Sequence, residues 1–122
     1  MTPSVSPRPV RALPVIDENT APEEIDRIAQ SAEEAAAFLK ALGHEGRLMI
    51  LCHLVTGEKS VNELERLIGS RQAAVSQQLA RLRLEGMVRP RRDGKVIFYS
   101  LADERPRAIL ELVYDLFCRR PD

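Results

Sequence analysis

The chain has 122 residues with 18 basic and 18 acidic side chains, so its formal net charge is zero. This length fits one domain, whose core needs no disulfide or metal for stability. No apolar run is long enough to span a membrane and no segment resembles a secretory signal, so we expect a cytoplasmic protein without permanent disulfides.

Proline dominates the start of the chain. Five of the eight prolines lie within the first 22 residues. Because proline fixes φ and lacks a backbone N–H, we predict a flexible tail over residues 1–19 and one folded domain over 20–122.

The first two predicted helices follow this tail. Thr20-Ala21-Pro22-Glu23 is typical of a capping box and predicts a helix from Pro22 to Leu42. A second helix is predicted from His44 to Val55, with Cys52 on its apolar face. A free cysteine in such a position often packs as a small hydrophobic residue.

The next two helices are joined by a tight turn. Ser60-Val61-Asn62-Glu63 is a second capping-box pattern, opening a short helix that ends at Gly69. Another helix is predicted from Ser70 or Arg71 to Glu85. Two helices joined by a glycine turn indicate a helix-turn-helix motif.

A β-hairpin and a last helix complete the pattern. Met87–Arg92 and Lys95–Leu101 are rich in strand-forming residues and flank Asp93-Gly94, a strong hairpin signal. Asp103 is expected to cap a helix that runs to about Arg119. The fold class is therefore mainly α with a small β-hairpin, a winged helix-turn-helix, and we expect the first and last helices to form a homodimer interface.

The zero net charge conceals a polarised chain. Residues 71–95 carry seven basic and two acidic side chains, whereas residues 17–37 carry seven acidic side chains and one basic side chain. A solvated charged face is the ordinary explanation, but the basic part coincides with the helix-turn-helix and the wing, which favours double-stranded DNA as partner. The candidate DNA-binding residues are Arg71, Gln72, Ser76, Gln77, Arg81, Arg91, Arg92 and Lys95.

Three segments in this order resemble one family. Residues 38–52, 72–86 and 91–101 are similar to the second helix, the recognition helix and the wing of ArsR/SmtB-type repressors. The resemblance implies a homodimeric winged-helix repressor that releases operator DNA when an inducer arrives.

The family's metal ligands are largely missing here. The third-helix segment Val61–Leu67 has no cysteine, and Arg105 stands where a last-helix histidine would be. What remains is Cys52 and Cys118, a pair similar to that of the persulfide-responsive branch of SqrR/BigR type. This resemblance implies sensor thiols that sulfane sulfur from small persulfides or polysulfides links by a polysulfide bridge. We expect Cys118 to be partly exposed, because its helical neighbours are polar.

Other functions remain open at this point. A metal-responsive repressor would use Cys52 and Cys118 with His44 or His53, and a general thiol-redox repressor would form a plain disulfide. Two inert cysteines in a DNA-binding protein are a further alternative. An enzyme is not expected, because the chain lacks a C-x-x-C pair, a nucleophile elbow and a phosphate loop. No cofactor, metal site or membrane partner is predicted.

Overall fold

A computed structural model describes residues 16–69 and 72–118. Its elements are α1 (Pro22–Leu42), α2 (Glu45–Leu54), β1 (Lys59–Ser60), α3 (Val61–Ile68), α4 (Gln72–Leu84), β2 (Val88–Asp93), β3 (Val96–Leu101) and α5 (Glu104–Val113), followed by a π-helical segment (Tyr114–Cys118). The order confirms the predicted winged helix-turn-helix. Most of the tail, the first residues proposed for α4 and Arg119 lie outside the described residues. No helix within them is long and apolar enough to cross a membrane.

Polar side chains begin three of the helices. The Ser60 hydroxyl accepts a hydrogen bond from the Glu63 backbone N–H, while the Glu63 carboxylate accepts one from the Ser60 backbone N–H. This confirms the capping box of α3. Asp103 caps α5, as predicted, and His44 caps α2 through Nδ1.

The capping box predicted at Thr20 is wrong. The N-cap residue of α1 is Ala21, with Pro22 at the first helical position and no side-chain cap. Thr20 instead accepts a hydrogen bond from the Asp17 backbone N–H, closing a local turn. Proline has no N–H to cap, and its fixed φ starts the helix by itself.

The wing is a three-stranded antiparallel sheet in the order β1-β3-β2. The two-residue strand β1 pairs with β3 and was not predicted. Asp93 pairs with Val96, so the hairpin loop is Gly94-Lys95, one residue later than the sequence indicated. Gly94 has φ +64°, which explains the glycine at the first loop position.

The core lies between α2, α3, α4 and the sheet. The inward side chains of α4 are Val75, Leu79 and Leu82, as predicted, and all three are buried. By contrast, α1 is exposed along most of its length, and only Ala41 and Leu42 at its end are buried. This leaves much of the longest helix unpacked within one protomer.

The last helix passes from α-helical to π-helical geometry. The α-helix ends at Val113, and a π-helical turn carries the chain to Cys118. A continuous α-helix had been predicted here. The large side chains of this end are exposed: Leu112, Tyr114, Leu116 and Phe117. Single π turns occur mostly inside α-helices and frequently at functional sites.

Candidate DNA interface and thiol site

A groove joins the recognition helix α4 to the wing. Ser76 of α4 and Lys95 of the hairpin loop line one groove of about 250 Å³, together with Asn62 of α3. The fold thus brings together two of the predicted DNA contacts that are far apart in sequence. Asn62 was missed because its only sequence signal was membership of a capping box.

The other predicted DNA residues have different environments. Gln77 and Arg92 are exposed, whereas the Arg81 guanidinium donates to the Glu85 carboxylate at 3.2 Å along α4. Gln72 begins α4, and Arg71 lies outside the described residues. Among the predicted DNA contacts, the exposed side chains for which no ion pair is described above are therefore Ser76, Gln77, Arg92 and Lys95.

Arg91 is engaged within the protein. Its Nε and Nη2 donate to the two carboxylate oxygens of Glu58 at 2.9 and 2.8 Å. Its guanidinium also lies 4.9 Å from the centre of the Phe98 ring. The ion pair lowers the pKa of Glu58 below its ordinary value. Arg91 thus connects the wing to the loop that follows α2.

A polar contact fixes α4 against α2. Nη1 of Arg47 donates to Oε1 of Gln78 at 3.0 Å, and the Gln78 amide nitrogen lies 3.5 Å from Nε2 of His44. Gly46 leaves room for the imidazole, because a Cβ there would lie 3.1 Å from the ring carbon. Gln78 therefore orients the recognition helix from its inner side.

Both cysteines are free and exposed. The prediction that Cys52 packs on the apolar face of α2 is wrong, because Ile50, Leu51 and Leu54 form the buried face. Partial burial raises the pKa of the Cys52 thiol above its ordinary value, and charge on Cys118 raises that pKa further. The Cys118 thiol thus influences the pKa of Cys52 although the two cysteines are 66 positions apart in the sequence.

A cavity of about 510 Å³ lies beside Cys52. Its wall on α5 contains Arg107, whose Nη2 donates to the Val55 backbone oxygen at 3.1 Å. The remaining lining residues are Leu110, Glu111, Tyr114 and Asp115. The approach of α5 to α2 thus places the Cys52 thiol in a polar-edged cavity rather than in the core.

Comparison with known proteins identifies the family. Residues 44–89 match the model of the bacterial regulatory proteins of the arsR family. A biofilm growth-associated repressor of Agrobacterium fabrum is 47% identical over 87 residues, which cover 71% of this chain and 74% of that protein. The chain belongs to the ArsR family.

Solved ArsR-family structures share the fold. The repressor BigR from Xylella fastidiosa superimposes with a TM-score of 0.73 and is 43% identical. The match covers 79% of this chain and 98% of that one. Reduced HlyU from Vibrio cholerae has a TM-score of 0.72 with 38% identity, covering 76% and 98% of the two chains. HlyU is named a transcriptional activator.

The chain is therefore an ArsR-family transcriptional repressor of the BigR type, and its relatives are DNA-binding transcriptional regulators rather than enzymes. Its partner is DNA. Among the described residues, no group of three or more histidine, cysteine, aspartate or glutamate side chains is arranged to hold a metal ion. The features of this ArsR-family protein that remain to be explained are its thiol pair and the cavity beside it.

Proposed function

We propose that this repressor is a dithiol sensor of reactive sulfur. The reduced homodimer binds operator DNA, and persulfides link Cys52 to Cys118 through a polysulfide, which releases the DNA and derepresses sulfide-detoxification genes. The main support is the presence of two free, exposed thiols on different elements, α2 and the π-helical segment, with Cys52 beside the cavity that α5 lines. These are the chain's only cysteines.

Cys118 is the attacking thiol in this proposal. Only a thiolate attacks sulfur. Because burial and Cys118 both raise the pKa of Cys52, its thiol is more often protonated at neutral pH than an ordinary cysteine. Cys52 then acts second, as the resolving thiol.

The persulfide itself is the oxidant. The Cys118 thiolate attacks the outer sulfur of a persulfide RSSH, an S–S bond breaks, RS⁻ leaves, and Cys118 becomes a persulfide. Two further transfers lengthen the chain by two sulfur atoms. The Cys52 thiolate then attacks the penultimate sulfur and expels HS⁻. Overall, two thiols and three RSSH give a four-sulfur bridge, three RSH and one H₂S.

DNA binding in this proposal uses α4 and the wing. Ser76, Gln77, Arg92 and Lys95 are exposed on these elements and offer hydrogen-bond donors and positive charge. Arg91 and Arg81 contribute less to phosphate binding, because each already pairs with a carboxylate. Arg71 and Gln72, which the sequence predicts as DNA contacts, complete the proposed contact set.

A second copy of the chain covers α1 and the end of α5. Large apolar side chains there are at least 41% exposed: Ile25, Leu39, Leu112, Leu116 and Phe117. Groups of exposed, large apolar side chains mark interaction sites when they form a patch, and a second copy of the chain would bury these. A dimer also presents two recognition helices, as two operator half-sites about 34 Å apart require.

The loop after α2 connects the thiols to the wing. Cys52 lies one helical turn before Val55, which accepts the hydrogen bond from Arg107 of α5, and Glu58 holds Arg91 in β2. Strain from the sulfur bridge can therefore reach the wing through residues 55–58. A coupling free energy of ~1–3 kcal/mol is enough to weaken DNA binding 5- to 150-fold.

Glu58→Gln tests this route. We expect the variant to bind DNA when reduced and to lose less affinity than wild type when bridged, as measured by fluorescence anisotropy. An unchanged ratio between reduced and bridged affinities would show that the signal takes another path.

The thiol mechanism itself is tested by intact mass and DNA binding in parallel. Reduced protein is treated with a glutathione persulfide donor, hydrogen peroxide, a disulfide or zinc. An intramolecular Cys52–Cys118 link with added sulfur mass, formed together with DNA release, supports the proposal. Cys52→Ser and Cys118→Ser should each keep DNA bound. Release by zinc alone refutes it, and equal release by peroxide through a plain disulfide refutes the requirement for a polysulfide.

A further inference from the structure

One side chain of α2 links the end of α1 to the recognition helix. Arg47 donates from Nε to the Ala41 backbone oxygen and from Nη2 to the Lys40 backbone oxygen at 3.5 Å, both in the last turn of α1. From Nη1 it donates to Oε1 of Gln78, in the middle of α4, at 3.0 Å. The guanidinium of Arg47 therefore contacts two helices at once while its backbone belongs to a third.

The contact of Arg47 with α1 has two separate causes. The last carbonyl groups of a helix have no partner within it, and Arg47 supplies one to Ala41, which is fully buried. The positive guanidinium also lies at the negative end of the α1 dipole, where a cation is favourable. Because Arg47 is half-buried, water competes less for these hydrogen bonds than it does at the surface.

The contact with α4 is directional. A guanidinium only donates hydrogen bonds, so it holds the Gln78 amide with Oε1 towards Arg47. Gln78 lies between Gln77, an exposed predicted DNA contact, and Leu79, a fully buried core residue. Because a short helix moves as a rigid element, a shift at Gln78 also shifts the residues of α4 that face the DNA.

This contact lies between the proposed dimer interface and the helix that reads DNA. Within the described residues, α1 packs on α2, and α2 packs in turn on α4. The second copy of the chain is proposed to cover α1, so the partner sets the position of α1. Arg47 carries that position across α2 to α4 through hydrogen bonds at both sides.

We propose that Arg47 is a positioning residue, which acts through Gln78 to fix α4 relative to α1 and thereby restricts the spacing of operator half-sites that the dimer accepts. Each base pair inserted between half-sites moves one of them by about 3.4 Å along the DNA axis and by about 35° around it. Two recognition helices that are held firmly cannot follow this displacement. The inference rests on the proposed homodimer but not on the chemistry of the thiols.

The test measures a preference for spacing rather than affinity alone. The probes are a fluorescein-labelled duplex of the promoter fragment, with its half-sites located by footprinting, and two derivatives with one base pair added or removed between the half-sites. Fluorescence anisotropy on the reduced full chain gives the ratio of their affinities. We expect wild type to bind the native spacing about tenfold more tightly than either derivative, the loss typical of one mismatched base pair.

Matched variants assign this preference to the contact. Arg47→Lys keeps the positive charge but loses the fork of donors that reaches two helices, so most of the preference should disappear. Gln78→Met removes the acceptor at similar side-chain length and should have the same effect. Gln78→Glu keeps an acceptor for Arg47 and should retain the preference, although its negative charge weakens binding to all three duplexes. The control is Arg27→Lys, because Arg27 lies on α1 and contacts Glu24 of the same helix at 3.8 Å.

Three results would overturn the proposal: wild type binds the three duplexes equally, Arg47→Lys and Gln78→Met retain the wild-type ratio, or Arg27→Lys lowers the ratio as much as Arg47→Lys does. A merely structural role of Arg47 would lower the folded fraction and weaken binding to all three duplexes together, which leaves the ratio unchanged. Gln78→Met keeps the contacts of Arg47 with α1, so it decides the question even if Arg47→Lys fails to fold.

Sedimentation at the assay concentrations separates this inference from the proposed function. A monomeric wild type refutes the proposed homodimer, and the inference with it. A dimer whose variants keep the wild-type ratio refutes the inference alone.

Discussion

Lys95 gives the sharpest test of the DNA interface. It occupies the hairpin loop and lines the groove that also contains Ser76 of α4. Each neutralised phosphate contributes about 0.9 to the slope of log affinity against log salt. The proposed dimer has two wings, so Lys95→Gln should reduce the slope by about 1.8. Between about 50 and 200 mM salt, wild type should therefore lose roughly twelvefold more affinity than the variant.

Fluorescence anisotropy with the promoter fragment, titrated at several salt concentrations, measures this slope. The matched control is Lys40→Gln, an exposed lysine in the last turn of α1, which should leave the slope unchanged. Arg91→Gln should reduce the slope less than Lys95→Gln, because Glu58 already neutralises Arg91. Equal slopes for wild type and Lys95→Gln would refute the placement of the wing on the phosphate backbone.

Three other outcomes follow from local geometry and charge. The hydrogen bond from the Ser60 backbone N–H lowers the pKa of Glu63. Glu63→Gln should therefore lower the free energy of unfolding above about pH 4.5, measured in urea, and the difference from wild type should disappear as the pH falls further. A difference that does not depend on pH would contradict this. Gly86→Ala, at φ +76°, should lower the free energy of unfolding by ~1–2 kcal/mol, whereas Gly43→Ala, at φ −75°, should not; equal effects would refute the backbone argument. Cys118→Ser should lower the apparent pKa of Cys52 alkylation by iodoacetamide while leaving it above that of a free thiol, because burial is the larger cause; an unchanged profile would show that the thiols do not interact.

Helix boundaries with strong local signals were predictable from sequence. The side chains of Ser60 and Glu63 each accept a hydrogen bond from the backbone N–H of the other residue, so the capping box needs no tertiary contact to form. The same pattern failed at Thr20, because Pro22 starts α1 without a side-chain cap. The pattern does not show which of two adjacent residues becomes the N-cap.

The environment of Cys52 was not predictable from periodicity. Its neighbours at helical spacing are apolar, but burial depends on how closely α5 approaches α2, which is a tertiary property. Arg107 and Glu58 were missed for the same reason. Their partners, Val55 and Arg91, are 52 and 33 residues away.

The π-helical turn after α5 allows the position of Cys118 to change without movement of the α-helix itself. A π turn holds its residues in a wider loop than an α turn, and rewinding it would swing Cys118 around the helix axis while Glu104–Val113 stays in place. In the proposed sensor, we expect this last turn to absorb differences in the number of sulfur atoms that join the thiols. The bridge would then strain α2 only after the π turn has rewound completely. The response to sulfur would therefore show a threshold instead of increasing gradually.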